Sequence, residues 1–236
     1  MIFDVIRNGI SPQLIINLCS RVFILFCVLP LHEFAHAFVS YKLGDHTARL
    51  KGRLTVNPMA HIDPIGALVI VLAGFGWAKP VPVNPRNFKN PKVGMAITAA
   101  AGPLSNVIMA TLTLILLNVV VGAGGYTSFN EFYFYQISGE MNFYGAIALF
   151  LYYAASINVT LAVFNLLPVP PLDGSRLVTM IIPDKYYYKI MQYERYITIG
   201  ILLLILVGAL NVPLQWLSGL LMDGLMAIAS FPLKFF

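Results

Sequence analysis

The chain has 236 residues, of which 58% are hydrophobic and only 11% charged, against roughly 25% charged in an ordinary soluble domain. That composition excludes a water-soluble globular protein and places the chain in a lipid bilayer. The formal net charge of +5 does not point to nucleic acid, because the basic residues lie in connecting loops beside apolar runs, where they set orientation.

The start, Met1 to Pro12, is mixed in character and lacks the basic, apolar and small-residue pattern of a secretory signal, so the chain reads as mature protein throughout. A helix needs about 20 apolar residues to cross the hydrocarbon, and Leu14–Tyr41 is the first stretch to supply them. Arg21 lies near its outer end and can snorkel to the interface. Cys19 and Cys27 sit in the same apolar run, imply no disulfide framework and read as packing residues. The connector from Lys42 to Asp63 holds His46, expected in solvent, and His61, expected to order the loop through a hydrogen bond.

Ile65–Trp77 is too short to cross and is basic on both flanks, with Lys51 and Arg53 before it and Lys79, Arg86, Lys89 and Lys92 after it. Both ends then face the cytoplasm, as in a re-entrant segment. Gly74–Pro91 is rich in Gly, Pro, Val and Asn, which suits a hairpin of extended backbone, tolerated at membrane depth when shielded by protein or lining a wet cavity. Four further apolar stretches follow: Gly94–Val121, Phe143–Leu167, the short Tyr196–Leu210, and Val212–Phe231. Gly124–Met141 carries Glu131 and Glu140 without a basic residue and falls outside, whereas Asp173–Arg195, with Arg176, Lys185, Lys189 and Arg195, falls inside. The amino terminus is then outside and the carboxyl terminus, with Lys234, inside. The expected architecture is an all-α polytopic membrane protein with a re-entrant segment and a membrane-inserted β-hairpin-like loop, forming one domain over residues 1–236.

Within the first span stands His32-Glu33-Phe34-Ala35-His36. Two histidines four apart project from one helix face, and an intervening Glu can sit beside a metal without ligating it. Zinc bound there would lower the pKa of a water, and Glu33 would take the water proton and pass it to the leaving amine. In a soluble helix this short pattern often arises by chance. Here it is flanked by apolar Val22–Leu31 and Ala37–Val39, and three ionisable groups inside a spanning helix cost several kcal/mol unless they have partners. Taking Lys42 as the cytoplasmic surface, a rise of 1.5 Å per residue puts His36 roughly 9 Å and His32 roughly 15 Å below it.

Catalytic zinc typically has three protein ligands. The remaining candidates are His46, His61, Asp45, Asp63, Asp173, Asp184 and Asp223. Asp173 stands out because it follows Asn165-Leu166-Leu167-Pro168-Val169-Pro170-Pro171-Leu172, whose prolines break a spanning helix near the depth of the histidines, and because Gly174 permits a tight turn. A loop aspartate capping the next helix is the alternative.

These residues resemble the site-2 protease family of intramembrane zinc metalloproteases, in which an HExxH segment is paired with an NxxPxPxxDG-like segment. Gly52–Gly66, Trp77-Ala78-Lys79-Pro80-Val81-Pro82-Val83-Asn84 and Ala100-Ala101-Gly102-Pro103-Leu104-Ser105-Asn106 look like further segments of its compact bacterial members, which lack appended PDZ or CBS domains. The resemblance implies a core of three spanning helices with a membrane-inserted hairpin near the cleft, and one zinc per chain held by His32, His36 and Asp173. It also implies Glu33 as the proton carrier and cleavage of a transmembrane protein substrate within or near its membrane segment, as in regulated intramembrane proteolysis. The chain would then be a multi-pass cell-membrane protein with its site toward the cytoplasm, partnered by the bilayer and its substrate and by neither nucleic acid nor nucleotide.

Asn165, near its helix end, is expected to hold substrate backbone or stabilise an oxyanion, with an interhelical hydrogen bond as the alternative. Asn106 has the same ambiguity. A metal transporter would place ionisable residues on several helices at midplane, yet Gly94–Val121 and Tyr196–Leu210 hold none. A silent binding protein has no need of Glu33, and a di-iron oxygenase generally uses more histidines than the four present.

Overall fold

The computed structural model describes residues 12–73, 76–126, 129–130, 143–178, 180–183, 185–186, 189 and 192–230. Glu131, Glu140, Asp184, Lys234 and the Gly74–Phe75 part of the expected hairpin lie outside these residues.

The first apolar run is helical from end to end but not uniformly so. α1 (Pro12–Phe23) passes through a π-turn at Ile24–Val28 into α2 (Leu29–Lys42), and Leu29 donates its N–H to the Ile24 carbonyl five residues back. Pro30 accounts for the wide turn. It has no N–H to give, and its ring would press on the carbonyl four residues earlier in an ordinary α-helix.

The connector folds as two short helices, α3 (Thr47–Leu50) and α4 (Pro58–His61), leading into α5 (Pro64–Ala73). His61 is fully buried; its Nε2 bonds the Thr55 carbonyl at 2.7 Å, its Nδ1 lies 3.4 Å from the Arg53 guanidinium, and its carbonyl accepts from Lys79 N–H at 2.8 Å. His61 therefore ties three parts of the connector together. Arg21 does more than reach an interface: its Nε donates to Asn17 at 2.8 Å and its Nη1 lies 3.4 Å from the carbonyls of Ile70 and Val71. Those carbonyls belong to the last turn of α5, which has no intrahelical donors of its own.

Residues 76–84 carry no regular structure, and no strand occurs among the described residues. A 3-10 turn at Pro85–Asn87 precedes α6 (Pro91–Ala123), 33 residues long, whose first turn is capped by Asn90 accepting from Val93 N–H at 3.2 Å. α7 (Phe143–Asn165), α8 (Asp173–Val178), α9 (Glu194–Leu206) and α10 (Asn211–Ala229) follow. Among the described residues, four stretches are long and apolar enough to cross a membrane: Leu14–Lys42, Pro91–Ala123, Phe143–Asn165 and Asn211–Ala229. The expected fourth crossing is instead a helix of 13 residues, ended by a turn in which Gly208 has φ +74°.

Two clusters hold the bundle together. Ala110, Leu114, Leu117 and Val121 of α6 close on Ala148, Leu151, Ala155 and Val159 of α7, with Leu225 and Ala229 of α10. Ile24, Leu25, Val28 and Leu29 around the π-turn pack with Ile70 of α5 and with Ile157 and Leu161 of α7. The many alanines and glycines let backbones approach, which is how helices associate where lipid removes most of the hydrophobic drive. α2 and α7 are thereby both laid against α6, and the motif on α2 faces it.

Candidate metal centre

His32 and His36 are one turn apart on α2, 5% and 8% exposed. Their rings meet edge to face with centroids 4.7 Å apart, and their Nε2 atoms are 3.1 Å apart. Nothing but a shared cation or proton brings two ring nitrogens so close in the middle of an apolar helix, because two neutral acceptors would repel. The far side of the His36 ring is fixed: its Nδ1 lies 2.8 Å from the Thr98 carbonyl of α6. That contact defines Nδ1 as the protonated nitrogen and leaves Nε2 with its lone pair, the usual arrangement for an imidazole that binds a metal.

α6 approaches this closely because residue 102 has no side chain. A Cβ built on Gly102 would lie 2.3 Å from His36 Nε2 and 2.6 Å from His32 Cε1. Any larger residue would drive the rings off α6 or out of their pairing.

Asp173 arrives from the other side. α7 stops at Asn165, and a turn through Pro168 and the cis Pro170–Pro171 pair carries the chain to α8. Gly174 lets it fold back, since a Cβ there would stand 2.2 Å from the Leu166 carbonyl oxygen. As the first residue of α8, Asp173 places Oδ2 3.4 Å from His32 Nε2 and 3.3 Å from His36 Nε2. Burial alone would raise this carboxyl, but the His32 and His36 side chains facing it outweigh that and hold Asp173 well below the ordinary carboxylate range. It is therefore an anion facing two imidazoles.

The three atoms form a nearly regular triangle with edges of 3.1, 3.3 and 3.4 Å. Two ligands about 2.0–2.1 Å from a tetrahedral ion are separated by about 3.3–3.4 Å, so the donor set fits zinc in size, in chemistry and in leaving a fourth position for water.

Glu33, 9% exposed, sits between the histidines in sequence and accepts the Val81 N–H on Oε2 at 2.9 Å. The irregular segment 76–84 thus reaches Glu33 through its backbone. Asn165 is half-buried, and its amide donates back to the Leu161 carbonyl at 2.9 Å.

The other ligand candidates are committed elsewhere. Asp45 is fully buried and accepts from Thr47 N–H at 3.0 Å, Asn84 N–H at 2.8 Å and the Asn87 amide at 2.7 Å. Asp63 caps α5 through Ile65 and Gly66 N–H, at 3.0 and 2.9 Å. His46 is exposed against Tyr41, and Asp223 is exposed on α10. Among the described residues, His32, His36 and Asp173 are the one group of three or more metal-ligating side chains that converge.

Two contributors carried no sequence signal of their own, the Thr98 carbonyl and the Val81 N–H: every residue has the carbonyl, and every residue but proline the N–H. Gly102, by contrast, lies in the Ala100–Asn106 segment that the sequence singles out.

Comparison with known proteins gives the same direction. Residues 20–207 match the model of peptidase family M50. The chain is 39% identical to YwhC of Bacillus subtilis over 188 residues, 80% of this chain and 77% of that protein. It is 30% identical to Rip2 of Mycolicibacterium smegmatis over 151 residues, 62% of this chain and about half (51%) of that protein. It is 26% identical to MJ0392 of Methanocaldococcus jannaschii over 165 residues, 70% of this chain and 35% of that one. The words zinc metalloprotease stand in all three of those proteins' names. No solved structure matches.

Proposed function

The chain belongs to peptidase family M50, and on that premise we propose that it is an intramembrane zinc metalloprotease that hydrolyses peptide bonds within or near transmembrane segments of membrane-protein substrates. The observation that carries the reading is the triangle of His32 Nε2, His36 Nε2 and Asp173 Oδ2, with edges of 3.1 to 3.4 Å. These three residues would hold one zinc. When bound, zinc supplies Lewis acidity and a water of lowered pKa.

The remaining chemistry falls to the chain's own groups. Glu33 takes the proton of the attacking water and returns it to the leaving nitrogen. With Oε2 held by Val81 N–H, Oε1 is the oxygen that carries the proton. Asn165 turns its amide from the Leu161 carbonyl to the substrate backbone or its developing oxyanion. Thr98 keeps the His36 ring in one tautomer and one plane. A helical substrate hides its carbonyls, so it must unwind before attack. The segment 76–84 beside Glu33, unpaired in any sheet among the described residues, receives the unwound stretch by strand addition.

The four apolar spans among the described residues, with the family, make this a multi-pass membrane protein. The proposed topology treats α5, basic on both flanks, as a re-entrant segment and residues 74–91 as a membrane-inserted hairpin-like loop. The whole chain, 1–236, acts as one domain in the cell membrane with the site on the cytoplasmic side, as the basic loops indicate. Regulated cleavage of a membrane-anchored protein is the corresponding role.

The test is to purify the protein in detergent, measure bound zinc and assay cleavage of a panel of single-span substrates with wild type and Glu33→Gln. One zinc per chain and a wild type that cleaves where Glu33→Gln does not is the expected result. Equal cleavage by the two sinks the mechanism.

A further inference from the structure

His36 has its outer nitrogen anchored on Thr98, whereas His32 has no such partner. His32 Nδ1 is buried without a hydrogen bond from any described protein group. Metal-ligating histidines almost always donate this second nitrogen to something, and that contact sets both tautomer and ring orientation. α6 holds a second anomaly. Asn106 is 1% exposed, yet neither its Oδ1 nor its Nδ2 has a partner among the described residues. Leaving a buried amide unpaired costs free energy that native structures rarely tolerate.

The register of α6 against α2 connects the two anomalies. Thr98, Gly102 and Asn106 stand four apart and share one face of α6. Thr98 meets His36, and Gly102 meets both His36 and His32. Each step along that face therefore moves from His36 toward His32 and beyond, so Asn106 follows next on the His32 side. Side chains lean toward their own helix amino terminus, and α2 and α6 run in opposite directions here. His32 and Asn106 consequently lean toward each other.

His32 offers one N–H, and Asn106 an acceptor oxygen. A buried water between them would accept from the one and donate to the other, two of the ~3 hydrogen bonds usual for such waters. We propose that Asn106 is a positioning residue of the metal centre: its amide oxygen takes up the Nδ1–H of His32 through a buried water, and so fixes that ligand's tautomer and plane. The inference rests on the zinc reading of the site.

The experiment compares wild type, Asn106→Leu, Asn106→Ala, Asn106→Asp and His32→Ala in detergent. Zinc affinity is read by competition with a chelator of known affinity, and the cobalt-substituted proteins are read by visible spectrum. Asn106→Leu is expected to weaken zinc binding about 10- to 100-fold and to shift the cobalt bands. Asn106→Asp, which keeps an acceptor oxygen in place, is expected to recover binding to within about threefold. Asn106→Ala adds no bulk and reports the same loss if Asn106→Leu does not fold. A merely structural asparagine would show no such split, so wild-type affinity and spectrum in both apolar variants, or equal impairment of Asn106→Asp and the apolar variants, would overturn the proposal. His32→Ala separates the two failures. If it leaves zinc affinity unchanged the metal-centre reading falls, and if it alone loses zinc only the role of Asn106 falls.

Discussion

The two halves of α6 use one residue spacing for opposite ends. In the first half, Gly94, Thr98, Gly102 and Asn106 line one face with small or polar groups, and the chemistry belongs to what approaches that face. Phe88 lies where a Cβ of Gly94 would be, 2.4 Å away, and the two imidazoles occupy the space in front of Gly102. In the second half, Ala110, Leu114, Leu117 and Val121 continue the same stripe, and there the side chains themselves do the packing against α7 and α10. Asn118, buried in that half, is satisfied by the Leu114 and Ala229 carbonyls at 3.1 and 2.9 Å, unlike Asn106. One half gives up packing to leave room, and the other supplies the packing that keeps the room open.

Substitutions that separate the halves test this division. The largest effect expected is on turnover alone: Glu33→Gln should lower kcat about 10²- to 10⁴-fold, the usual worth of a positioned acid-base group, with bound zinc and thermal midpoint unchanged. Leu114→Ala belongs to the other half. It should remove about 2–5 kcal/mol of stability in a reversible unfolding assay, while the folded fraction still binds one zinc. Gly102→Ala should do the reverse, displacing the rings, weakening zinc binding and lowering activity by about 10²-fold, the scale of a 1 Å misplacement. A Gly102→Ala protein with full zinc affinity would show that the close approach is incidental.

The smallest effect lies outside both halves. Burial alone would raise the Asp45 carboxyl, but hydrogen bonds from Thr47, Asn84 and Asn87 hold it below its ordinary value. A depressed carboxyl stabilises the fold above its unfolded pKa of about 3.9 and loses that contribution as pH falls through the folded value. Asp45→Asn should therefore cost about 1–3 kcal/mol at pH 7, with the gap to wild type closing in acid. Thermal melts from pH 7 to pH 3 read both quantities.

Much of this was legible before any coordinates. Hydropathy located the long helices to within a few residues, and the errors at their ends have causes. α6 begins at Pro91 rather than Gly94 because Asn90 caps a first turn that contains Lys92, which an apolar reading passes over. α7 ends at Asn165 rather than Leu167 because the residue before Pro168 is pushed away from helical backbone. The last part of Tyr196–Leu210 is apolar enough to continue α9, yet it turns at Gly208. The histidine pair was legible from spacing, and Asp173 from the proline break. The Thr98 carbonyl and the Val81 N–H that meet His36 and Glu33 were not, because backbone groups of this kind stand at nearly every position and have no pattern, whereas Gly102 stands in a segment already singled out in the sequence.

The contact between Val81 N–H and Glu33 carries information as well as energy. Val81 stands between Pro80 and Pro82, neither of which has an N–H, so this part of the loop presents one donor flanked by two blanks. Sliding the loop one residue either way would set a proline against Glu33. A one-residue slip of the loop therefore cannot keep its contact with Glu33, and this protection of the frame holds whatever side chain stands at position 81, proline excepted.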